Sequence, residues 1–289
     1  MASLKEIKSR IQSVKSTQKI TSAMKMVSSA KLRKAQRIIE NFYPYEQKMN
    51  ALLNNFLSAQ EGDIDSVFAD EREIERVAIV VFASNSSLCG SFNNNVAKRL
   101  TQVLESYNIL EQENILLYPI GKKIAKACVK MNFKPQGDFE SLADKPNYNQ
   151  AVNLADTLMN LFLNKEIDRV ELIYHHFESK SSHIITSETF LPLRFESRGK
   201  GTPVPDYIVE PDSRAILEEL IPKVLRIKLY TALLDSNASE HAARAIAMQT
   251  ATDNADELLQ ELSLQYNKSR QQAITNELLD IVGGSFGRS

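Results

Sequence analysis

The stretch LEELIPKVLRIKLYTALLDSNASEHAARAIAMQTATDNADELLQELSLQYNKSRQQA, residues 217–273, holds the pattern that decides how the rest of the chain is read. An apolar or small residue returns at alternating steps of three and four: Leu217, Leu220, Val224, Ile227, Thr231, Leu234, Ala238, His241, Ala245, Met248, Thr252, Ala255, Leu259, Leu262 and Tyr266. Ala273 follows after one polar step at Ser269. A spacing near 3.5 keeps one seam turned toward a partner helix, which is the condition for a left-handed coiled coil. An unbroken helix from Pro222 to Val282 would be about 90 Å long at 1.5 Å per residue. A domain of this size does not bury such a rod, so it is expected to find a mate in the chain and to project.

Residues 1–58 are the expected mate. They contain no Gly, and Ser3 with Glu6 makes a capping box ahead of Ile7. Apolar tracks run through Leu4, Ile7, Ile11 and Val14, then through Ile38, Phe42, Tyr45, Met49, Leu52 and Phe56. Between them the seam turns small and polar at Thr21, Ala23, Ser28, Ser29 and Ala30. Pro44 lacks an N–H and clashes with the preceding turn, so a kink or break is expected there. The chain leaves this helix near Leu57 and enters the other near Asp212, and compact domains hold their termini close together. Two helices rising from one base run antiparallel. The longer one then overshoots, leaving Ala273, Ile274, Leu278, Leu279, Ile281 and Val282 as an apolar tip that calls for an external partner.

The middle, residues 74–195, alternates strands and helices. Val77–Ala83 is an apolar strand, Phe92, Val96, Leu100, Val103 and Tyr107 mark one helix face, and Ile115–Ile120 is a second strand. Helices over Lys122–Met131 and Asn149–Leu163 and strands over Arg169–Phe177 and Ile184–Pro192 complete a mostly parallel sheet with helices against it. Residues 196–211 are expected to link this body to a C-terminal helical segment, 212–289. The fold class is therefore α/β: a long antiparallel two-helix coiled coil from the two ends plus a central Rossmann-like domain.

Composition bounds the function. No window approaches the roughly 18 uncharged apolar residues of a membrane span. Two cysteines, Cys89 and Cys128, lack C-x-x-C spacing and point to a reducing compartment. The net charge of −1 hides ten Lys and Arg against Glu6 alone in residues 1–39, a +9 segment in a chain otherwise −10. Ten unbalanced cations favour an acidic partner. Nucleic acid is the second reading, as a basic coiled-coil binding or scaffold protein, although residues 1–41 lack aromatics and a recognised binding fold. A transit peptide is the third.

Chemistry is not visible. Ser84–Ser91 follows the first strand, where doubly wound sheets bind ligands, but it has neither a dinucleotide fingerprint nor a phosphate loop. A structural turn is the expected role, and Gly121-Lys122-Lys123 is expected to be a solvated helix start. His175 and His176 alternate across a strand, His183 falls in the next turn, and His241 lies on the helical seam. No metal or cofactor set emerges.

The chain nevertheless resembles the gamma subunit family of F-type ATP synthase along its length. The resemblance rests on Ile7–Ile11, Thr17–Val27, Ala30–Lys34, the Leu88-Cys89-Gly90 turn, the small-residue packing of Ala232–Ala243, Ala251–Asn254, and Tyr266–Gln271. Ile274-Thr275-x-Glu277-x-x-Asp280 and Gly284-Ser285 complete it. Ser285 departs from the usual Ala, and Asn85, Ser86 and Ser87 replace the common Asp-Arg-Gly. The resemblance implies a noncatalytic rotor shaft without cofactors, one copy per complex. Its partners would be alpha and beta subunits, epsilon and the membrane c-ring, not nucleic acid. It would couple ion flow to ATP synthesis or hydrolysis. Met24, Lys25, Arg270, Gln271, Thr275 and Glu277 match positions that contact the catalytic subunits, and Tyr207 and Glu210 match the foot that meets c and epsilon. With no leader before the matched region, a peripheral place on the cytoplasmic face of a bacterial inner membrane is expected.

Overall fold

The computed structural model describes residues 3–59, 66–193 and 212–286. The expected linker, 196–211, and with it Tyr207 and Glu210, lies outside these residues. Ten elements are ordered α1 (Leu4–Ala59), β1 (Val77–Phe82), α2 (Phe92–Ser106), β2 (Ile115–Ile120), α3 (Lys122–Lys130), α4 (Glu140–Asp144), α5 (Tyr148–Leu163), β3 (Arg169–Phe177), β4 (His183–Leu191) and α6 (Ser213–Phe286), besides two short 3-10 turns. They form two compact units: residues 1–29 with 244–289, and residues 30–243.

In the larger unit the strand order is β2-β1-β3-β4, with β1 parallel to both neighbours and β3 antiparallel to β4. Every residue of β1 is buried, as a parallel strand covered on both faces requires. Side chains alternate across it. Val77, Ile79 and Val81 join Val96, Leu100 and Val103 of α2 and Ile124 and Cys128 of α3 in one core. Ala78, Val80 and Phe82 face the other way, into a core with Leu154, Leu158 and Phe162 of α5, Leu53 and Phe56 of α1, and Leu225, Leu229 and Leu233 of α6. The period of two thus places helices on both sheet faces, a Rossmann-like body. His183 is the first residue of β4 rather than a turn residue, and the short α4 has too little periodicity to be read from sequence.

Gly121 links β2 to α3 at φ 112°, where a Cβ would stand 2.2 Å from the carbonyl oxygen of Ala83. Only glycine fits that crossing.

α1 opens on the capping box read from the sequence. The backbone N–H of Glu6 donates to Ser3 Oγ (3.2 Å), and the N–H of Ser3 donates to Glu6 Oε2 (2.8 Å). The expected break at Pro44 does not occur: the helix runs through it, and Pro44 is exposed. A lone missing N–H on a solvent face leaves the remaining i→i−4 ladder to carry the segment. The helix's second apolar track also needs correcting. Ile38, Tyr45 and Leu52 are exposed, while Leu32, Ala35, Leu53 and Phe56 are buried and Ile39, Phe42, Glu46 and Met49 are half-buried. The 3-4 phase that begins at Leu4 persists unbroken to Phe56. It is the apolar-only reading that slips, by one residue, after the polar stretch.

Candidate functional site

The smaller unit consists of the start of α1 and the end of α6. Its seam is polar at the centre. Thr21 Oγ1 and Thr252 Oγ1 lie 2.8 Å apart, and Gln18 Nε2 donates to Asp256 Oδ1 at 2.8 Å. As the α1 number rises the α6 number falls, so the helices are antiparallel. Buried Ile7, Thr21 and Ser28 alternate with buried Ala245, Met248, Ala255 and Leu262 along that seam. Carried to the end, the register sets Leu4 near Ser269, and α6 continues beyond it.

Two apolar stripes remain uncovered. On α1, Ile20 and Val27 are 60% and 58% exposed, with Ala23 also exposed and Met24 half-buried between them. The spacing i, i+3, i+4, i+7 puts all four on one face. On α6, Ile274, Leu278 and Ile281 repeat the pattern past the overshoot, with Leu279 beside them, all exposed. Such stripes, rimmed here by Lys19, Lys31 and Lys268, mark protein-binding faces rather than solvated ones. The α1 stripe escaped the sequence reading, which followed charge there. Its signal was the helical spacing of Ile20, Ala23, Met24 and Val27.

The candidate residues fall into two places. Met24 and Lys25 are half-buried on α1. Arg270, Gln271, Thr275 and Glu277 are exposed on α6, and Thr275 Oγ1 donates to the Gln271 carbonyl (2.9 Å). By the seam register Lys25 lies across from Gln249, about 30 Å along the helix from Arg270 at 1.5 Å per residue. The two groups lie at separate levels of the smaller unit and do not form one pocket.

The loop after β1 is structural. Ser84 Oγ donates to Asn93 Oδ1 (2.9 Å) or the Ser86 carbonyl (2.6 Å), and Asn93 Nδ2 donates to Cys89 Sγ (3.1 Å). Asn85 Nδ2 donates to the Glu140 carbonyl (2.7 Å), while Asn85 Oδ1 accepts from the Lys122 N–H (2.8 Å). The Lys123 N–H is taken by the Ser84 carbonyl (3.1 Å), so the first amides of α3 are already occupied and offer no phosphate grip. Cys89 is buried, and burial pushes the Cys128 thiol up to about 11, the reverse of an activated nucleophile.

His175 and His176 do face opposite ways. His175 is buried and stacked on Phe92 (ring centroids 4.4 Å apart), while His176 Nδ1 meets Asp235 Oδ2 of α6 at 2.5 Å. Among the described residues no group of three or more His, Cys, Asp or Glu could hold a metal ion.

Paired helical ends with uncovered apolar stripes, and an α/β body whose loop after β1 is closed by its own hydrogen bonds, are the features of a docking subunit. The family model described as ATP synthase matches residues 3–286. The ATP synthase gamma chain of Phocaeicola vulgatus is 58% identical over 99% of this chain and 100% of that relative. That of Bacteroides fragilis is 60% identical over 99% and 100%. Among solved structures, a chain of the Euglena gracilis mitochondrial ATP synthase (OSCP/F1/c-ring) has a TM-score of 0.69 at 20% identity, covering 98% of this chain and 94% of that one. One from the Tetrahymena thermophila mitochondrial ATP synthase (central stalk/c-ring) has 0.56 at 22%, covering 80% and 99%. These two speak for the fold. The chain belongs to the ATP synthase gamma chain family, noncatalytic subunits that serve as the central rotor shaft. The nucleic-acid reading is not favoured.

Proposed function

We propose that the paired ends of α1 and α6 are gripped by a ring of alternating alpha and beta subunits, and that the α/β body meets epsilon and the membrane c-ring. One copy serves each complex. A single rod with unlike faces touches each of three catalytic subunits differently and biases them toward different conformations. Turning it cycles those biases, which links ion movement through the membrane sector to ATP synthesis, or hydrolysis to pumping. The driving quantity is the difference in contact free energy between states.

The observation that carries this reading is the pair of exposed apolar stripes, Ile20/Ala23/Met24/Val27 and Ile274/Leu278/Ile281. They supply contact area on two levels of the rod. Lys25 answers an acidic loop of a beta subunit. Arg270 and Gln271 form a polar catch whose fork-shaped, charged hydrogen bonds engage and release as the rod turns, with Thr275 and Glu277 beside it. Tyr207 and Glu210 belong to the foot at c and epsilon. No described helix is long and apolar enough to cross a membrane, and the proposed station is peripheral, on the cytoplasmic face of a bacterial inner membrane.

Substitution of Arg270 by Ala in the assembled complex tests the catch. ATP-driven proton pumping per ATP hydrolysed is expected to fall severalfold while assembly persists. An unchanged ratio removes Arg270 from the role.

A further inference from the structure

α6 is buried on every side from Ala232 to Ala245, yet that segment is rich in polar residues. The contacts of Asp235, Asn237 and Ser239, with those of Arg226 and Lys228 before them, fall into two rows within the larger unit. Arg226 Nε donates to Asp156 Oδ1 of α5 at 2.7 Å, and Asn237 Nδ2 donates to the Ala143 carbonyl of α4 at 2.9 Å. Lys228 Nζ stands 3.1 Å from Glu188 Oε2 of β4, Asp235 Oδ2 meets His176 of β3 at 2.5 Å, and Ser239 Oγ donates to the His175 carbonyl at 3.2 Å. Asp235 also accepts the Phe177 N–H, so the buried carboxylate is held from two sides.

Helical geometry separates the rows. At 3.6 residues per turn, Asn237 lies about 20° around the axis from Arg226, whereas Lys228, Asp235 and Ser239 lie about 180–220° away. One row faces α4 and α5; the other, on the opposite side, faces the β3–β4 hairpin. Between them, Ala238 and Ala242 pack on Leu32 and Ala35 of α1. That small contact, like the packing of Leu225, Leu229 and Leu233 in the main core, is non-directional, whereas the polar pairs fix one angle of the helix. Rotation of α6 about its axis moves the two polar rows in opposite directions, so neither relaxes without stretching the other.

We infer that these two opposed rows key α6 to the α/β body and are the positioning residues through which torque passes between body and shaft. The inference rests on the rotor reading. It goes beyond it by assigning the load path to Arg226–Asp156 and Asn237 on one side, and Lys228–Glu188 and His176–Asp235 on the other.

The test uses the assembled complex in inverted membrane vesicles and reads the largest proton gradient that ATP hydrolysis sustains, alongside the hydrolysis rate. Arg226→Ala removes the Asp156 ion pair from one row and Lys228→Ala the Glu188 ion pair from the other, both at half-buried pairs that spare the core. Each alone is expected to hold at least half the wild-type gradient. The double variant is expected to hold less than a fifth, with hydrolysis within about twofold of wild type. Restoring the lost pair in reverse, as Asp156→Arg with Arg226→Asp on the Lys228→Ala background, is expected to regain at least half. Melting temperature and yield of the assembled complex that stay unchanged across these variants separate keying from a loss of fold. If the double variant fails to assemble, Asp156→Asn with Glu188→Gln takes its place, with at least a twofold loss expected. A full gradient in the assembled double variant overturns the keying, as does a swap that restores nothing. A wild-type complex that pumps no protons with ATP would instead refute the rotor reading itself.

Discussion

Thr21 and Thr252 face each other across the seam of the smaller unit with their hydroxyl oxygens 2.8 Å apart, two small polar groups where a coiled coil ordinarily places large apolar ones. Each also reaches a carbonyl of its own helix, Thr21 that of Gln18 at 3.0 Å and Thr252 that of Met248 at 2.8 Å. With two hydroxyl protons for three contacts, one hydroxyl donates across the seam while the other donates to its own helix, and the seam is narrow rather than deeply interlocked. Replacing either Thr by Val is expected to cost about 0.5–1 kcal/mol, and replacing both is expected to cost less than the two single changes summed. Denaturation of the four chains in a double-mutant cycle measures it.

Gly121 admits no side chain. Gly121→Ala is expected to destabilise the larger unit by more than about 2 kcal/mol, because the new Cβ meets the Ala83 carbonyl and the backbone is held at positive φ. A thermal-shift comparison of wild type and variant decides it, and an unchanged melting temperature contradicts the geometry.

His175 makes stability depend on pH. Burial, then the neighbouring His183, pushes its imidazole down to about 4, and neither ring nitrogen has a hydrogen-bond partner among the described residues. The unfolded chain takes up the proton first, near pH 6.5, so stability is fully present above that value and drains away as pH falls toward about 4. The loss amounts to about 3 kcal/mol at 1.36 kcal/mol per unit. His175→Phe is expected to flatten the stability profile between those limits, read from denaturation midpoints at a series of pH values.

The tip of α6 should make the isolated chain associate. Leu278→Ser with Leu279→Ser is expected to raise its solubility without lowering its melting temperature, since both side chains are exposed, and to weaken its incorporation into the complex. Sedimentation of the free chain and the yield of assembled complex report the two effects.

How much could be read from the chain depends on where polar residues sit. From Leu262 to Ala273 the seam residues Leu262, Tyr266, Ser269 and Ala273 are the half-buried and buried ones, because neighbours on either side are exposed and the 3.5 period stands alone. In α1 the seam passes through Gln18, Thr21, Lys25 and Ser28, so following apolar residues alone loses the phase and returns one residue off at Ile38. Around Asp235–Glu240 periodicity vanishes altogether. Those side chains are buried because α4, β3 and their carbonyls, distant in sequence, come to meet them, and no local pattern announces such partners. Strands buried on both faces, such as Val77–Phe82, were legible as short apolar runs. The proposed contact residues come from resemblance to a family, since exposed Arg270 or Thr275 leaves no mark on periodicity.

The central claim is that this chain turns. With the catalytic ring of the assembled complex immobilised and a fluorescent rod attached to an engineered cysteine at exposed Ile109 of the α/β body, addition of ATP is expected to drive sustained rotation in one direction. A body that stays fixed against the ring while ATP is hydrolysed and protons are pumped would contradict the account.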